Sequence, residues 1–318
     1  MIGKGGKWLV ILYVVFLAVL FLMCSTDLII REPEREIYQV AVIIEDARSD
    51  NYSNFRKGMD QAAKEFNVDV HFITLYDDSD AEQQMELMDR EQQDGADALI
   101  VVPADEERVM GKAMAVPVIF LQPKIMENPG VGTIVIDYEQ MGKLLANEMR
   151  KDILTDCPVW VLTDSKGQSG MDRLFLKGAD AVFSEEGRTM FVTAWDAEAV
   201  FRTAMGTLDS DEKVVLLAEN PEILTEVSGF LADNPIAAEH VCGVYGRGNT
   251  VPILNHLDHG RISGICVTDD FSIGYLSVRA AVQALEGADS IPVTADFYYI
   301  EKENLREPDY EKLLFPIE

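Results

Sequence analysis

The sequence lacks the common signatures of catalysis and cofactor binding. It contains no Walker A sequence, no complete GxGxxG and no HExxH, and none of its serines lies in a recognisable nucleophile elbow. His256 and His259, spaced three apart, could share a metal ion, but no third ligand is visible in the sequence. We therefore expect a protein that is not an enzyme and that holds neither a cofactor nor a metal.

Basic residues are scarce. The chain of 318 residues carries 27 lysines and arginines against 55 acidic residues, which gives a formal net charge of −28. Such a surface repels phosphate backbones at long range. We therefore expect no nucleic-acid partner.

Cysteines are also few, and they form no CxxC pair and no zinc-ligand spacing. They stand at positions 24, 157, 242 and 266. Cys242 and Cys266 both lie in strand-like runs. Two interpretations stay open for this pair: a disulfide bridge in an oxidising compartment, or two small buried thiols.

One long apolar run is present near the N-terminus. From Trp8 to Cys24, 17 residues carry no charge, and Lys4 and Lys7 precede them. A helix of that length reaches roughly 26 Å, close to the ~30 Å hydrocarbon core of a bilayer. The run lacks the small-x-small cleavage site of a secretory signal, and Met23 replaces the small residue that precedes a lipidated cysteine. We interpret residues 1–36 as an uncleaved transmembrane anchor and stalk, with the lysines inside the cell and the rest of the chain outside.

After residue 37, short apolar runs alternate with helical patterns. Runs such as "ADALIVV" and "KVVLLA" are almost wholly apolar, whereas Phe55, Met59 and Phe66 recur on one helix face. Ser79 and Asp105 precede two further helical patterns and are predicted helix N-caps. Apolar strands separated by helices are typical of parallel sheets that are covered on both faces. The sequence therefore predicts an α/β fold.

Four segments stand out by their order and spacing: "AVIIEDARSDNYSNFRKGMDQAAKEFNVDV", "DGADALIVVPAD", "IDYEQMGKLLANEM" and "HGRISGICVTDDFSIGYLSVRAAVQALEG". Together they resemble the type I periplasmic solute-binding family, the group of ribose- and galactose-binding proteins. The likeness covers nearly everything from Ile37 to the C-terminus. It implies two Rossmann-like lobes with parallel sheets, joined by a three-strand hinge. The transmembrane helix predicted from the apolar run precedes them.

The same resemblance implies where the lobes begin and end. The N-terminal lobe is expected to span residues 37–136 plus 268–291, and the C-terminal lobe residues 137–267 plus 292–318. The chain is expected to cross between the lobes near Ile136, Val267 and Pro292.

The resemblance also implies a solute-binding site between the lobes. Tyr52 and Trp195 match aromatic residues that contact opposite faces of a sugar ring. Arg173 matches an arginine that donates to solute hydroxyls, and Asn220 matches an asparagine that offers a donor and an acceptor. Alternatives stay open for three of them: Trp195 as a core residue, Arg173 as a solvated helix residue, and Asn220 as a helix cap.

Other positions depart from the family pattern. Gln122 stands where sugar-binding members carry an aspartate, Tyr245 where they have another aspartate after a strand, and Thr268 where they have a hinge glutamine. These three residues and Asn51 complete the predicted ligand-binding set. Because two carboxylates are lost while Arg173 keeps its charge, we hypothesise a solute with an anionic or acceptor-rich group.

The sequence thus predicts an extracytoplasmic, membrane-anchored protein that traps a sugar or sugar derivative between two lobes and delivers it to an ABC permease. One alternative is a ligand-sensing subunit for a membrane histidine kinase or chemoreceptor. Another is an extracellular hydrolase or lyase.

Overall fold

The computed structural model describes residues 4–25, 37–45, 52–77, 80–123, 133–152, 157–164, 169–196, 213–288 and 292–315. The chain divides into two units, Met1–Ile37 and Tyr38–Glu318.

The described part of the first unit is helical, with α1 spanning Lys4–Ser25. The side chains described in this helix, those of Trp8, Leu9 and residues 11–21, are all exposed. Among the described residues, no helix is long and apolar enough to cross a membrane. The predicted anchor therefore stays a prediction.

Two sheets can be described in the second unit, and all neighbouring strands of the first are parallel. Its strands are β1 (Gln39–Ile43), β2 (Asp69–Ile73), β3 (Ala98–Val101), β4 (Val118–Pro123), β5 (Ile134–Ile136) and β11 (Val293–Thr294). They lie in the order β11-β5-β4-β3-β1-β2.

The second sheet is parallel except for its last pair of strands. Its strands are β6 (Val159–Thr163), β7 (Met190–Ala194), β8 (Val214–Ala218), β9 (Val241–Arg247), β10 (Gly264–Thr268) and β12 (Phe297–Glu301). They lie in the order β12-β10-β9-β8-β6-β7, and β12 runs antiparallel to β10.

Helices separate these strands along the chain, as the alternating pattern predicts. They are α2 (Ser53–Phe66), α3 (Ala81–Gln93), α4 (Glu106–Met110), α5 (Tyr138–Asp152), α6 (Gly170–Glu185), α7 (Pro221–Asp233), α8 (Pro235–Glu239), α9 (Val251–Asp258), α10 (Asp270–Leu285) and α11 (Pro308–Leu314). The α/β fold with parallel-dominated sheets is confirmed.

The central strands of each sheet are buried on both faces. In β1, Val40 and Val42 join a core cluster with residues of α2 and α10, whereas Ala41 and Ile43 join a separate cluster with Met88 of α3. The strands of the second sheet divide in the same way between two clusters. Because successive strand residues point to opposite faces, a strand covered on both sides must be apolar throughout.

Glycines bring the main helix pairs into close contact. A Cβ atom on Gly142 of α5 would overlap the carbonyl oxygen of Phe175 in α6, and one on Gly178 of α6 would overlap that of Glu139 in α5. Gly58 of α2 and Gly274 of α10 make the same reciprocal approach beside the first sheet. The two sheets therefore carry equivalent helix pairs.

The described chain passes between the sheets three times. Asp137 leads from β5 into α5, which packs on α6, and Asp269 leads from β10 into α10, which packs on α2. The third passage joins β11 to β12. β11 ends at Thr294, two residues beyond the crossing predicted at Pro292.

Two predicted helix caps have different outcomes. Asp105 caps α4, because its side chain accepts a hydrogen bond from the Arg108 amide at 2.9 Å, as predicted. The prediction that Ser79 caps α3 is wrong. The cap is Asp80, whose carboxylate accepts from the amides of Glu82 and Gln83, both at 3.0 Å.

No Cys242–Cys266 bridge is present, and both cysteines are free. Cys266 is fully buried, as one interpretation expected, and its thiol points to the Met141 carbonyl oxygen at 3.7 Å. Cys242 is exposed instead, so the expectation of a buried thiol is wrong there. Because Cys266 pairs with Arg247 in the register of β9 and β10, Cys242 lies five residues further back along β9, roughly 17 Å away.

Candidate functional site

A cavity of about 300 Å³ lies at the carboxyl ends of strands from both sheets. From the side of the first sheet it is lined by residues that include Glu45 after β1 and Val102 after β3. From the side of the second sheet it is lined by residues that include Asn220 after β8 and Arg247 at the end of β9. Ligands bind at this edge of open parallel sheets, because the loops there lead into helices and carry the variable side chains.

An ion pair between Arg247 and Asp172 forms one wall of the cavity. The Nη2 atom of Arg247 donates to Oδ1 of Asp172, and the two side chains are only 14% and 9% exposed. Asp172 is held from the other side by Ser169, whose amide and hydroxyl donate to Oδ2 at 3.2 and 2.7 Å. Ser169 is the N-cap of α6, so the helix start fixes the carboxylate that receives the guanidinium.

Aromatic rings support the Arg247 guanidinium. Its Cζ atom lies 5.2 Å from the ring centre of Tyr138 and 5.8 Å from that of Phe175. Burial alone lowers the pKa of Arg247, but the negative charges of Asp172 and Glu45 and the hydrogen bond to Asp172 outweigh it, so the pKa is raised. Burial raises the pKa of the Tyr138 hydroxyl, which remains a neutral donor at physiological pH.

A second carboxylate, that of Asp270, lies at the start of α10 and is held by two donors. The Thr268 hydroxyl donates to its Oδ1, and Nδ2 of Asn249 donates to its Oδ2 at 2.7 Å. Burial raises the pKa of Asp270, and these two hydrogen bonds oppose the rise. All three residues line the cavity.

A third carboxylate, that of Glu45, pairs with Tyr52. The Tyr52 hydroxyl lies 2.7 Å from both carboxylate oxygens. The Tyr52 ring is fixed edge-on against Phe55, with ring centres 5.8 Å apart. Both Glu45 and Tyr52 line the cavity, so an acceptor and an aromatic ring are presented together.

Glu106 reaches from the first sheet toward the second. It begins α4, and a Cβ atom on Gly170, at the start of α6, would overlap its carboxylate. Both Glu106 and the neighbouring Ser169 line the cavity. The two halves of the site are therefore in contact at this edge.

Three of the residues predicted from the sequence are brought together at the cavity: Tyr52, Asn220 and Thr268. Asn220 is also the cap of α7, since its Oδ1 accepts from the Ile223 amide at 2.9 Å. Their roles in ligand binding stay predictions.

Three others do not line the cavity. Trp195 packs edge-on against Phe230 with ring centres 6.1 Å apart, and its indole donates to Glu226 at 2.7 Å. Tyr245 is buried within β9, and Arg173 is exposed on α6. Asn51 and the side chain of Gln122 lie outside the described residues.

Sequence reasoning missed Arg247, Asp172, Tyr138 and Asn249. It took Tyr245 as the residue after the strand, but β9 continues to Arg247. The sequence signal for the end of β9 is Gly248, because glycine is favoured where the backbone turns with a positive φ. Its φ is 117° in the structure. Asp172 could have been found as the N3 residue of a capping box whose N-cap is Ser169.

The described residues contain no group of three or more His, Cys, Asp or Glu side chains placed to hold a metal ion. The described lining of the cavity offers a set of hydrogen-bonding groups: carboxylate acceptors, amide and hydroxyl groups, and the guanidinium of Arg247. Such a set recognises a polar solute by the directions of its hydrogen bonds.

Solved structures share this architecture. A carbohydrate transporter solute-binding protein from Agrobacterium radiobacter, in complex with D-arabinose, aligns with a TM-score of 0.73 and 19% identity, covering 88% of this chain and 99% of the other. An ABC transporter solute-binding protein from Bacillus halodurans, with bound myo-inositol, has a TM-score of 0.70 and 19% identity over 87% and 98%. A putative LacI transcriptional regulator from Bacteroides fragilis has a TM-score of 0.72 and 13% identity over 85% and 99%.

A comparison with curated proteins gives no match. The sequence does match the periplasmic binding protein domain family, over residues 40–289. That match covers most of the chain and includes all the described strands except β11 and β12. The family is one of binding proteins rather than enzymes. The chain therefore belongs to the periplasmic binding protein family, with the type I fold that its sequence resemblance predicted.

Proposed function

We propose that this chain is an extracytoplasmic, membrane-anchored receptor that binds a neutral polyhydroxylated solute, a monosaccharide or cyclitol, and delivers it to an ABC transporter. The observation that carries the proposal is the convergence of Asp172, Asp270 and Glu45 on one cavity, each already oriented by a donor of the protein. Solute hydroxyls donate to carboxylates more strongly than to neutral acceptors. An ionised carboxylate has about four acceptor positions, so each retains capacity for a solute.

The charge of the cavity favours a neutral solute. Among the residues that the structure describes, the lining contains five acidic residues, Glu45, Glu106, Asp172, Glu222 and Asp270, against one basic residue, Arg247. The hypothesis of an anionic solute depended on Arg173, which does not line the cavity. Arg247, which does, is already paired with Asp172. A solute carboxylate would therefore meet an excess of like charge.

The size of the cavity supports a small solute. A volume of about 300 Å³ is at the lower end of the range of about 300–1,000 Å³ for ligand pockets. The two solute-binding proteins compared above hold D-arabinose and myo-inositol, which are small, neutral and rich in hydroxyls. One monosaccharide or cyclitol is the ligand class that fits both observations.

Calorimetry on the full chain in detergent tests the ligand class. D-arabinose, myo-inositol and glucuronate serve as probes, and we expect heat of binding with a neutral probe and none with glucuronate. A preference for glucuronate over both neutral probes would overturn the proposal.

The proposed mechanism is closure of two lobes around the solute. The proposed lobes are residues 37–136 plus 268–291 and residues 137–267 plus 292–318. They correspond to the two sheets, apart from β11, which joins the first sheet, and Thr268, which ends β10 of the second. Because the cavity is lined from both sheets, a solute makes all its contacts only when the lobes are closed, so binding shifts the population toward that form. Small-angle scattering with and without solute tests this, and an unchanged radius of gyration at saturation would contradict it.

The proposed anchor is the uncharged run from Trp8 to Cys24. Alkaline carbonate extraction of membranes that contain the full chain tests it, together with N-terminal sequencing. We expect the chain in the membrane pellet with its N-terminus intact. Recovery in the soluble fraction, or cleavage after the apolar run, would exclude an uncleaved anchor.

Delivery to a transporter and reporting to a membrane kinase or chemoreceptor differ in one measurable result. If the chain delivers solute, its deletion abolishes uptake of the radiolabelled solute at low concentration. If it reports solute, deletion leaves uptake intact and removes the transcriptional or chemotactic response.

A further inference from the structure

Two cysteines that are far apart in sequence lie close together at the amino-terminal ends of strands β6 and β9 of the second sheet. The Sγ atoms of Cys157 and Cys242, 85 residues apart, lie 2.9 Å from each other. Both thiols are free, Cys157 is half-buried and Cys242 is exposed. A disulfide bond requires about 2.05 Å between the sulfur atoms, so the pair needs to close by only about 0.9 Å.

The register of the sheet explains the meeting. β8 lies between β6 and β9, and Val215 of β8 pairs with Val159 on one side and Gly243 on the other. Val214 pairs with Val241, so Cys242 is left between two paired residues as the extra residue of a bulge. A bulge turns the extra side chain away from the regular pleat. Cys157, two residues before Val159, lies at the same end of the sheet.

We propose that Cys157 and Cys242 form a disulfide bond when the chain is exposed to an extracytoplasmic thiol oxidant. The oxidant is a disulfide, of a protein or of glutathione. One cysteine thiolate attacks it, forms a mixed disulfide and releases one thiol of the oxidant. The second cysteine attacks the mixed disulfide, forms the Cys157–Cys242 bond and releases the other thiol. Two protein thiols are oxidised and one disulfide of the oxidant is reduced, so atoms and electrons balance.

The bond would join β6 to β9 next to the start of β8. It would lie at the amino-terminal ends of these strands, whereas the cavity lies at their carboxyl ends. Cys242 is five residues before Arg247 on β9, which corresponds to roughly 17 Å along a strand. The cross-link therefore constrains the second sheet without touching the solute site. It rests on the extracytoplasmic location in the proposed function but not on the identity of the solute.

Peptide mapping tests the proposal directly, because trypsin places each of the four cysteines in a different peptide. Cys157 falls in residues 152–166, Cys242 in 214–247 and Cys266 in 262–279. The full chain is incubated with oxidised glutathione, its free thiols are alkylated in denaturant, and the digest is analysed by mass spectrometry. We expect peptide 152–166 linked to peptide 214–247, with Cys266 alkylated.

Three single variants sharpen the test. Cys266→Ser should retain the linked peptide, whereas Cys157→Ser and Cys242→Ser should lose it. Reduction should lower the melting temperature of the wild type and of Cys266→Ser, but not that of the other two variants. Alkylation of both Cys157 and Cys242 after oxidation, separate glutathione adducts on each, or a link that includes Cys24 or Cys266 would overturn the proposal.

Discussion

Arg247 and Asp172, 75 residues apart in sequence, form an ion pair whose side chains are almost withdrawn from solvent. Each side chain is also held by contacts outside the pair. Arg247 lies over the rings of Tyr138 and Phe175, and Asp172 is bound by Ser169, the N-cap of α6. A buried pair of this kind is costly to break, because either partner alone leaves an uncompensated charge.

Asp172→Asn is therefore expected to destabilise the chain by about 3–5 kcal/mol, the usual cost of leaving a buried charge without its partner. Urea unfolding measures this. The double variant Asp172→Asn/Arg247→Met removes both charges and should recover most of the lost free energy of unfolding, but not solute binding. A double variant as unstable as Asp172→Asn would show that the capping role of Asp172, rather than the ion pair, sets the cost.

The two arginines considered for the site should behave differently. Arg247→Gln is expected to reduce solute affinity at least tenfold, because a guanidinium at the cavity wall is lost together with the partner of Asp172. Arg173→Gln is the matched control, and its affinity should stay within about twofold of the wild type, since Arg173 is exposed and outside the cavity. Calorimetry with the neutral probe that binds gives both values. Equal losses in the two variants would contradict this placement.

Substitutions of the two predicted aromatic residues should differ in their effect on solute affinity. Tyr52→Ala removes a ring that lines the cavity, so affinity should fall about 2- to 13-fold, which corresponds to roughly 0.5–1.5 kcal/mol for an aromatic contact. Trp195→Phe keeps the contact with Phe230 and should leave affinity unchanged. Affinity that falls for Trp195→Phe but not for Tyr52→Ala would reverse this assignment.

Close helix packing can be tested at two glycines. Gly142→Ala places a methyl group against the Phe175 carbonyl oxygen, so α5 and α6 must separate. We expect a loss of about 1–3 kcal/mol, the usual cost of overpacking. Gly229→Ala on α7 is the control: nothing lies within 4 Å of its Cβ position. The control should gain up to about 1 kcal/mol from helix propensity. Thermal or urea unfolding compares the two, and equal stability would be inconsistent with the close approach.

Asp270 should give the stability a defined pH dependence. Burial raises its pKa in the folded chain above the unfolded value, so the folded state holds its proton more tightly. Its contribution to stability is therefore greatest at pH values below the unfolded pKa and falls as the pH rises through the folded pKa. Asp270→Asn should remove this fall, which urea unfolding across the acidic range detects. Thr268→Val should raise the pKa further, because it deletes a hydrogen bond to the carboxylate, and carboxyl chemical shifts would report that change.

Local sequence signals predicted the architecture well. Alternating apolar runs and helical faces give the parallel sheets, because a strand buried on both sides and a helix buried on one side leave different patterns. Asp105 and Asn220 were recognisable as caps from their own positions before helices. Asp80 was missed in favour of Ser79 because both residues are good caps and only the backbone decides between them.

The site was less predictable because it depends on distant contacts and on register. Asp172 and Arg247 come from different strand–helix units, and the sequence around either residue does not indicate that the other is its partner. Tyr245 and Arg247 differ by two positions on one strand, so the choice between core and cavity depended on where β9 ends. Trp195 follows a strand, as expected of a cavity residue, but its indole turns to Glu226 and Phe230.

Tyr138 and Asp270 are the first residues of α5 and α10, the two helices through which the chain leaves one sheet and packs beside the other. Both also line the cavity. In the proposed closure, a solute that contacts these two residues also contacts two of the crossings between the sheets. Substitutions at Tyr138 and Asp270 are therefore expected to alter the rate at which the lobes open as well as the affinity for the solute.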